Sequence, residues 1–473
     1  MRLTLVATAL TALLAGCASV PPQTVSAPPK NIIFFLGDGM GMNTLTAARI
    51  FAVGEDGDLT LDTLPESAFV KTFSNDGQTT DSAASMSAYM TGKKVNNGVI
   101  SMTTDTVSLE PGKDVNGNKT VSRCGNGQPS PTLAELAKAR GLAVGVVTTT
   151  RVTDATPAAV FAHACHRSNE TDIAAALVPG GAGYNSALGP NGIDVLLGGG
   201  TLAFAPHGKG GIRTDGRDLL AELRARAYRA ASDSAQLAAI DAASGAPLIG
   251  LFAPENLSYD AARDPSRDPG LAAMAGKAIS VLSQNPKGFF LVVEGGLIDL
   301  ALHDTNAKRA LQEVAAFDNT LKATIAQMQA IDPGLKNTLI VVTADHDHTL
   351  LLNGYARRTG KTTPTEPGVL GLMKRVEDGS LRLDADGAPF TIIGFGTGEN
   401  RVQGSRGAAP RLTDAIVSSD DYRYEAVVRT AIGDETHGGS DVYLGAIGAR
   451  ADTFRGTIDN TRVFELIKAA AGW

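Results

Sequence analysis

Residues 337–348 read NTLIVVTADHDH. The stretch Asn337–Val342 is short, almost continuously apolar and rich in β-branched residues, as expected of a strand buried on both faces. It passes directly into Asp345, His346, Asp347 and His348. In isolation that tail reads either as a polar turn after a buried strand or as a group of metal ligands. Three other runs share the design. NIIFFLG (31–37) ends at Asp38, AVGVV (143–147) leads into TTTRVTDAT (148–156), and GFFLVV (288–293) ends at Glu294. GIDVLLGGG (192–200) and GAPLIGLFA (245–253) look like further strands. Helical patterns lie between them. Examples are SPTLAELAKARG (130–141), with Ser130 as a candidate N-cap and Gly141 past the end, and TNAKRALQEVAAFDNTLKATIAQMQA (305–330). Alternating strands and helices imply an α/β fold, a three-layer α/β/α sandwich with a large, mostly parallel central sheet. Ligands bind such sheets beyond the carboxyl ends of the strands, which places Asp38, Thr156, Glu294 and Asp345 near one edge. Residues 353–430 mix glycine, proline and charge with weak periodicity and contain one strand-like run, PFTIIGFG. They read as a loop-rich insertion on the main sheet, or as strands of a small separate subdomain.

The chain has 473 residues and a formal net charge of −7, with 53 glycines and a single tryptophan. No run of lysine and arginine stands out, so nucleic acid is not an expected partner. Met1-Arg2 followed by LTLVATALTALLAG is a short basic segment plus an apolar run too short to span a bilayer. It enters LLAGC, which resembles the bacterial lipoprotein cleavage box, so residues 1–17 read as a signal segment with Cys17 as the lipidated residue. An ordinary secretory signal is the alternative. Residues 18–30, rich in Pro and Ser, read as an extended tether. The expected location is the periplasm or cell envelope, on a lipid anchor. Cys124 and Cys165 then remain as an even pair in an oxidising compartment, and they are expected to form a disulfide worth about 3–4 kcal/mol on the chain-entropy model.

Several segments carry chemistry. Asp299 and His303 stand at i and i+4, on one face of a helical turn, and carboxylate plus imidazole suits zinc. Alone, such a pair is more often a surface hydrogen bond. Ser82, in QTTDSAASMSAYMTGKK (78–94), opens an alanine-rich helical stretch where backbone N–H groups favour an anion. It reads as an N-cap or as a nucleophile, and no histidine nearby in sequence would activate it. Arg167, in HACHRSN (163–169), has the side chain best shaped for two phosphate oxygens. His437 sits in GDETHGGSDVYLGAIG (433–448), before a glycine pair that allows close backbone approach.

Taken together, NIIFFLGDGMG, TDSAAS, VVTTTRVTDATPAA, NPKGFFLVVEGG, TADHDH and THGGSDV resemble the alkaline phosphatase family in order and approximate spacing, across residues 30–473. The resemblance implies two zinc ions and one magnesium ion. One zinc would be held by Asp299, His303 and His437, the other by Asp38, Asp345 and His346, and magnesium by Asp38, Thr156 and Glu294. Asp154 would support magnesium through water, and His348 would hydrogen-bond a ligating carboxylate, Asp299. Asp347 matches no family ligand and is expected to point elsewhere. The implied reaction is hydrolysis of phosphate monoesters, with Ser82 as nucleophile and Arg167 as phosphate clamp, by a homodimer that scavenges phosphate. A phosphodiesterase on the same bimetallic core is the nearest alternative, which a clamp built for a dianion disfavours. A non-catalytic binder of phosphate or metal would be expected to lack ligands, and every matched ligand is present.

The chain departs from common family patterns at Leu300 and Leu302, where many relatives carry polar residues. Leu300 follows Asp299 at a place that usually holds a cation near phosphate. Product binding should therefore be weaker than in relatives with that cation. Leu300→Lys is expected to lower the inhibition constant for inorganic phosphate, measured against a chromogenic monoester; an unchanged constant would count against this reading.

Overall fold

The computed structural model describes residues 27–109 and 122–473. The signal segment, Cys17 and residues 18–26 of the tether lie outside them. Ten strands form the central sheet: β1 (Asn31–Gly37), β2 (Glu66–Lys71), β3 (Ala143–Arg151), β4 (Val195–Gly199), β5 (Arg229–Ala231), β6 (Leu248–Leu251), β7 (Phe289–Gly295), β8 (Thr338–Ala344), β9 (Val442–Gly448) and β10 (Gly456–Asp459). Their spatial order is β10-β2-β9-β8-β1-β7-β3-β4-β6-β5. Among the described strands of this sheet only β9 runs against its neighbours, β8 and β2. The four runs that carry the acidic motifs form β8, β1, β7 and β3, which are adjacent at the centre. Their register ends almost level. Gly37 pairs with both Ala344 and Gly295, and Glu294 pairs with Leu36 and Thr148. Asp38, Glu294 and Asp345 therefore reach the same edge.

Neighbouring side chains on a strand point to opposite faces. Phe34 packs against Tyr89 of helix α2 (Ser82–Thr91), with ring centroids 5.5 Å apart. Phe35 packs edge-on against Phe317 of a long helix, Ala307–Ile331, at 5.6 Å. Both phenylalanines are fully buried, which stabilises the fold by roughly 1.5–3 kcal/mol per side chain. Two separate helix layers result. Met42–Val53 (α1), Leu271–Leu282, Leu297–His303 and Ala307–Ile331 pack on one another, as do α2, Leu133–Ala139 (α3), Ala155–Phe161 (α4) and Asn460–Ala471. The three-layer sandwich expected from the sequence is the observed fold.

Local expectations needed adjustment. Thr132, not Ser130, caps α3, because Thr132 and Glu135 form a reciprocal capping box just after Pro131. Likewise Asp81, not Ser82, caps α2, accepting from Ala84 N at 2.9 Å, so Ser82 is the first helical residue. The polar TTTR stretch continues β3 instead of ending it. Residues 353–430 contribute two strands of a three-stranded sheet, Leu350–Leu352, Ile393–Gly398 and Ala426–Arg429, whose Leu350, Ile393 and Phe395 belong to the main core.

Glu313, on the long helix, is buried and accepts from Asp260 N at 2.6 Å. Burial, and secondarily the Asp260 charge, push its carboxyl up to about 7. Its folded value lies above the unfolded one, so the native state holds an extra proton between about pH 4 and 7. Stability falls as pH rises through that window, and the cost is complete above it. Glu313→Gln keeps the acceptor and removes the charge. It should stabilise the protein at pH 9 by on the order of 3 kcal/mol and change little at pH 4, as measured by denaturant unfolding at both pH values.

Candidate metal centre and nucleophile

Helix α2 is tied to the end of β8. Tyr89 Oη donates to Ala344 O at 2.8 Å and Ser85 Oγ to Asp345 O at 2.7 Å. These bonds hold Ser82 against the loop of Asp345 and His346. The loop after β1 closes from the other side, where Gly39 N donates to Asp345 Oδ1 at 3.0 Å. Gly39 has φ +67°, and a Cβ there would come within 2.5 Å of the His348 ring. Only glycine admits both the conformation and the approach.

Asp38, Asp345 and His346 form one cluster. His346 Nε2 lies 3.3 Å from Asp38 Oδ1, 3.4 Å from Asp345 Oδ2 and 3.2 Å from Ser82 Oγ. All four residues are buried. Burial, then the charges of Asp345, Asp299 and Glu294, push the Asp38 carboxyl well above its usual range. Burial also holds His346 well below the usual imidazole value, so the ring is neutral.

Asp299 Oδ1, His303 Nε2 and His437 Nε2 form a second cluster, with separations of 3.4, 3.5 and 3.2 Å. In His346, His303 and His437 the Nδ1–H groups face the backbone carbonyls of Asp347, Glu435 and Thr80. That fixes one tautomer in all three and leaves the Nε2 lone pairs free. Two such lone pairs, on His303 and His437, face one another at 3.2 Å. They repel unless a cation lies between them.

His348 behaves differently. Nε2 contacts Asp299 Oδ1 at 2.7 Å and Nδ1 contacts Glu435 Oε2 at 2.5 Å. Burial opposes a charge here, but Glu435 and Asp299 outweigh it and push the imidazole up to about 10. His348 also stands close enough to Asp299, His346 and His437, and to His303 and Glu435, to share a cation with them, but both its ring nitrogens contact carboxylates, which favours a role in supporting Asp299. Glu435 was missed in the sequence. Its carboxylate also accepts from Thr349 N at 2.8 Å, tying the His437 loop to the DHDH turn. The only signal was an acid two residues before His437.

A third group is all oxygen. Thr156 Oγ1 lies 3.2 Å from Asp38 Oδ2, and Glu294 Oε2 accepts from Thr148 Oγ1. Burial pushes the Glu294 carboxyl up to about 8. Glu294 Oε1 and Asp345 Oδ2 are buried without a hydrogen-bond partner among the described residues. Orphaned carboxylate oxygens in the first and third groups, and free imidazole lone pairs in the first and second, fit bound cations. Arg167 reaches Asp154 Oδ1 at 3.1 Å and Asp81 Oδ2 at 3.3 Å. Burial opposes its charge, and the carboxylates of Asp154, Asp81 and Asp38 keep it firmly protonated. Leu300 is half-buried and Leu302 fully buried, so neither brings a polar group to the centre.

Every described residue expected at the site is thus gathered at one edge of the sheet, and Cys124 and Cys165 are disulfide-bonded. Asp347 stands apart. Its Oδ1 is turned to Gly41, at the start of α1, where an added Cβ would lie 1.5 Å from it. Gly41→Ala should therefore destabilise the protein by about 1–3 kcal/mol or more. Gly41→Ala combined with Asp347→Ala should recover most of the loss, and thermal unfolding of the two variants would show an equal loss if the clash is not the cause.

Comparisons with known proteins agree with this geometry. A family model described as alkaline phosphatase matches residues 29–473. The tissue-nonspecific isozyme of alkaline phosphatase from Rattus norvegicus is 34% identical over 459 residues, covering 90% of this chain and 80% of that protein. An alkaline phosphatase of Gadus morhua is 33% identical over 470 residues, covering 93% and 91%. The solved structure of the Thermus thermophilus alkaline phosphatase shares the fold, with a TM-score of 0.66 at 24% identity over 98% of this chain and 96% of that one. With a match across nearly its whole length and the metal-capable clusters in place, the chain belongs to the alkaline phosphatase family and is a phosphatase.

Proposed function

We propose that the chain hydrolyses phosphate monoesters through a phosphoseryl intermediate, and that it scavenges inorganic phosphate in the periplasm or cell envelope as a lipid-anchored homodimer. The observation that carries the reading is the position of Ser82. Its Oγ lies at the N-terminus of α2, 3.2 Å from His346 Nε2 and 3.4 Å from Asp38 Oδ1. Asp299, His303 and His437 would hold one zinc, Asp38, Asp345 and His346 a second, and Asp38, Thr156 and Glu294 magnesium, with Asp154 in support. When bound, these cations acidify the serine hydroxyl and neutralise charge on the phosphoryl and leaving oxygens.

The chain's own residues account for the rest. Arg167 presents a fork to two non-bridging oxygens of the dianion, held charged by Asp81 and Asp154. The helix N-terminus adds favourable potential for the same anion. Ser82 Oγ gives up its proton to solvent and bonds to phosphorus as the bond from phosphorus to the ester oxygen breaks, and the departing alkoxide takes up one proton from solvent in exchange, leaving as the alcohol. Water then attacks the phosphoserine from the vacated side, which releases phosphate and restores the hydroxyl. His348, charged and pinned between Asp299 and Glu435, keeps Asp299 in place throughout.

Trapping at acid pH after mixing with radiolabelled phosphate tests the intermediate. Label should remain covalently bound to the native enzyme and be absent from Ser82→Ala. Equal labelling of the two would remove Ser82 as nucleophile.

A further inference from the structure

Arg167 lies on a loop between α4 and the helix Glu170–Ala175, with no regular structure of its own. At its start, His163 contacts Ser101 O and Glu135 Oε1, each at 2.7 Å; around Arg167 itself, two segments hold that loop. Residues 98–100 bind its backbone: Arg167 N donates to Gly98 O at 2.7 Å, and Ala164 and Ile100 exchange hydrogen bonds of 3.0 Å. Residues 122–124 grip it at two further points. Cys124 is bonded to Cys165, two positions before the arginine. Two positions after it, Asn169 donates through Nδ2 to Ser122 O at 2.8 Å and accepts at Oδ1 from Ser122 N at 2.9 Å. Asn169 is only 5% exposed, so these bonds are protected from water.

The guanidinium contacts to Asp81 and Asp154 do not fix Arg167 by themselves. Asp81 is shared among Ala84 N, Gly98 N and the arginine, and Asp154 is shared with Arg151. A fork that must meet two oxygens needs its backbone placed to within tenths of an ångström. We propose that residues 122–124 act as a clamp on Arg167, with Cys124, Cys165 and Asn169 as positioning residues that set phosphoryl affinity without touching substrate. The inference rests on the phosphate-holding role proposed above for Arg167. Tethers on both flanks leave the loop little freedom to tilt, whereas a single tether would let it pivot about the remaining backbone bonds. The sequence shows a cysteine and an asparagine flanking the arginine at equal spacing. Only the fold shows that both reach the same partner segment.

The test uses Cys124→Ser combined with Cys165→Ser, and separately Asn169→Ala, which leaves the disulfide intact. Each is made in the native protein and in Arg167→Ala. Hydrogen exchange at the Arg167 amide should quicken in both clamp variants. KM for a nitrophenyl monoester and the inhibition constant for inorganic phosphate should rise together by about tenfold to 100-fold, with kcat changing far less. In Arg167→Ala the same changes should add nothing, because the two act through one group. Unchanged exchange at Arg167 in both variants overturns the clamp. A further rise in KM in the Arg167→Ala background also overturns it, since that loss would not run through the arginine. Should Arg167→Ala alone leave phosphate inhibition intact, the phosphate role of Arg167 fails, while faster exchange in the clamp variants still upholds the clamp.

Discussion

Asp38, Glu294, Asp299 and Asp345 bring four carboxylates together at the carboxyl edge of adjoining strands, almost entirely out of water. An uncompensated charge at that depth costs several kcal/mol. The protein answers part of the cost itself. His348 stands as a cation between Asp299 and Glu435, and Arg167 faces Asp154 and Asp81. The remainder is left open, in the orphaned oxygens of Glu294 and Asp345 and the facing lone pairs of His303 and His437. Burial first, and then the charges of neighbouring carboxylates, drive the Asp38, Glu294 and Asp345 carboxyls upward, in keeping with a deficit of positive charge. That deficit is why the centre reads as a set of cation sites and not as a structural ion-pair network.

The rest of the architecture serves to hold these charges against their repulsion. The parallel register of β8, β1, β7 and β3 delivers three of the acids to one level. Helix α2 is tied to the end of β8 by Tyr89 and Ser85, which holds Ser82 beside the acids. Gly39 and Gly41 let the turn after β1 press onto His348 and Asp347. A packed core lies beneath the edge, with Phe34 and Phe35 joining the two helix layers to the same strand.

Much of the fold was legible because β1, β3, β7 and β8 are buried on both faces and so read as unbroken apolar runs. β2, β9 and β10 were harder to see. Their sequences, such as ESAFVK in β2, alternate or include exposed positions, and they join the sheet through partners far away in the chain. The cap of α3 was placed two residues early, and Ser82 was left between N-cap and nucleophile, because neighbouring Ser, Thr and Asp all suit an N-cap and only backbone geometry chooses. Glu435 was overlooked for a related reason. An acid in a glycine-rich loop carries no pattern until its partner, His348, is known in space.

The sequence by itself determined the chemistry that can occur. It specifies which strands end in acids, that histidine and serine are available beside them, and that two cysteines bracket the segment of Asp154 and Thr156. These are properties of composition and short-range spacing, which survive without coordinates. Composition and spacing leave those residues looking equal, and only the family resemblance divides them; the tertiary structure decided the physical basis of that division. Of Asp345, His346, Asp347 and His348, it turns the first two into the centre, faces the third to Gly41 and buries the fourth as a cation between two carboxylates. That division depends on which groups from distant segments come within 3 or 4 Å, and charge interactions inside a protein are set by those separations and by the loss of water around them.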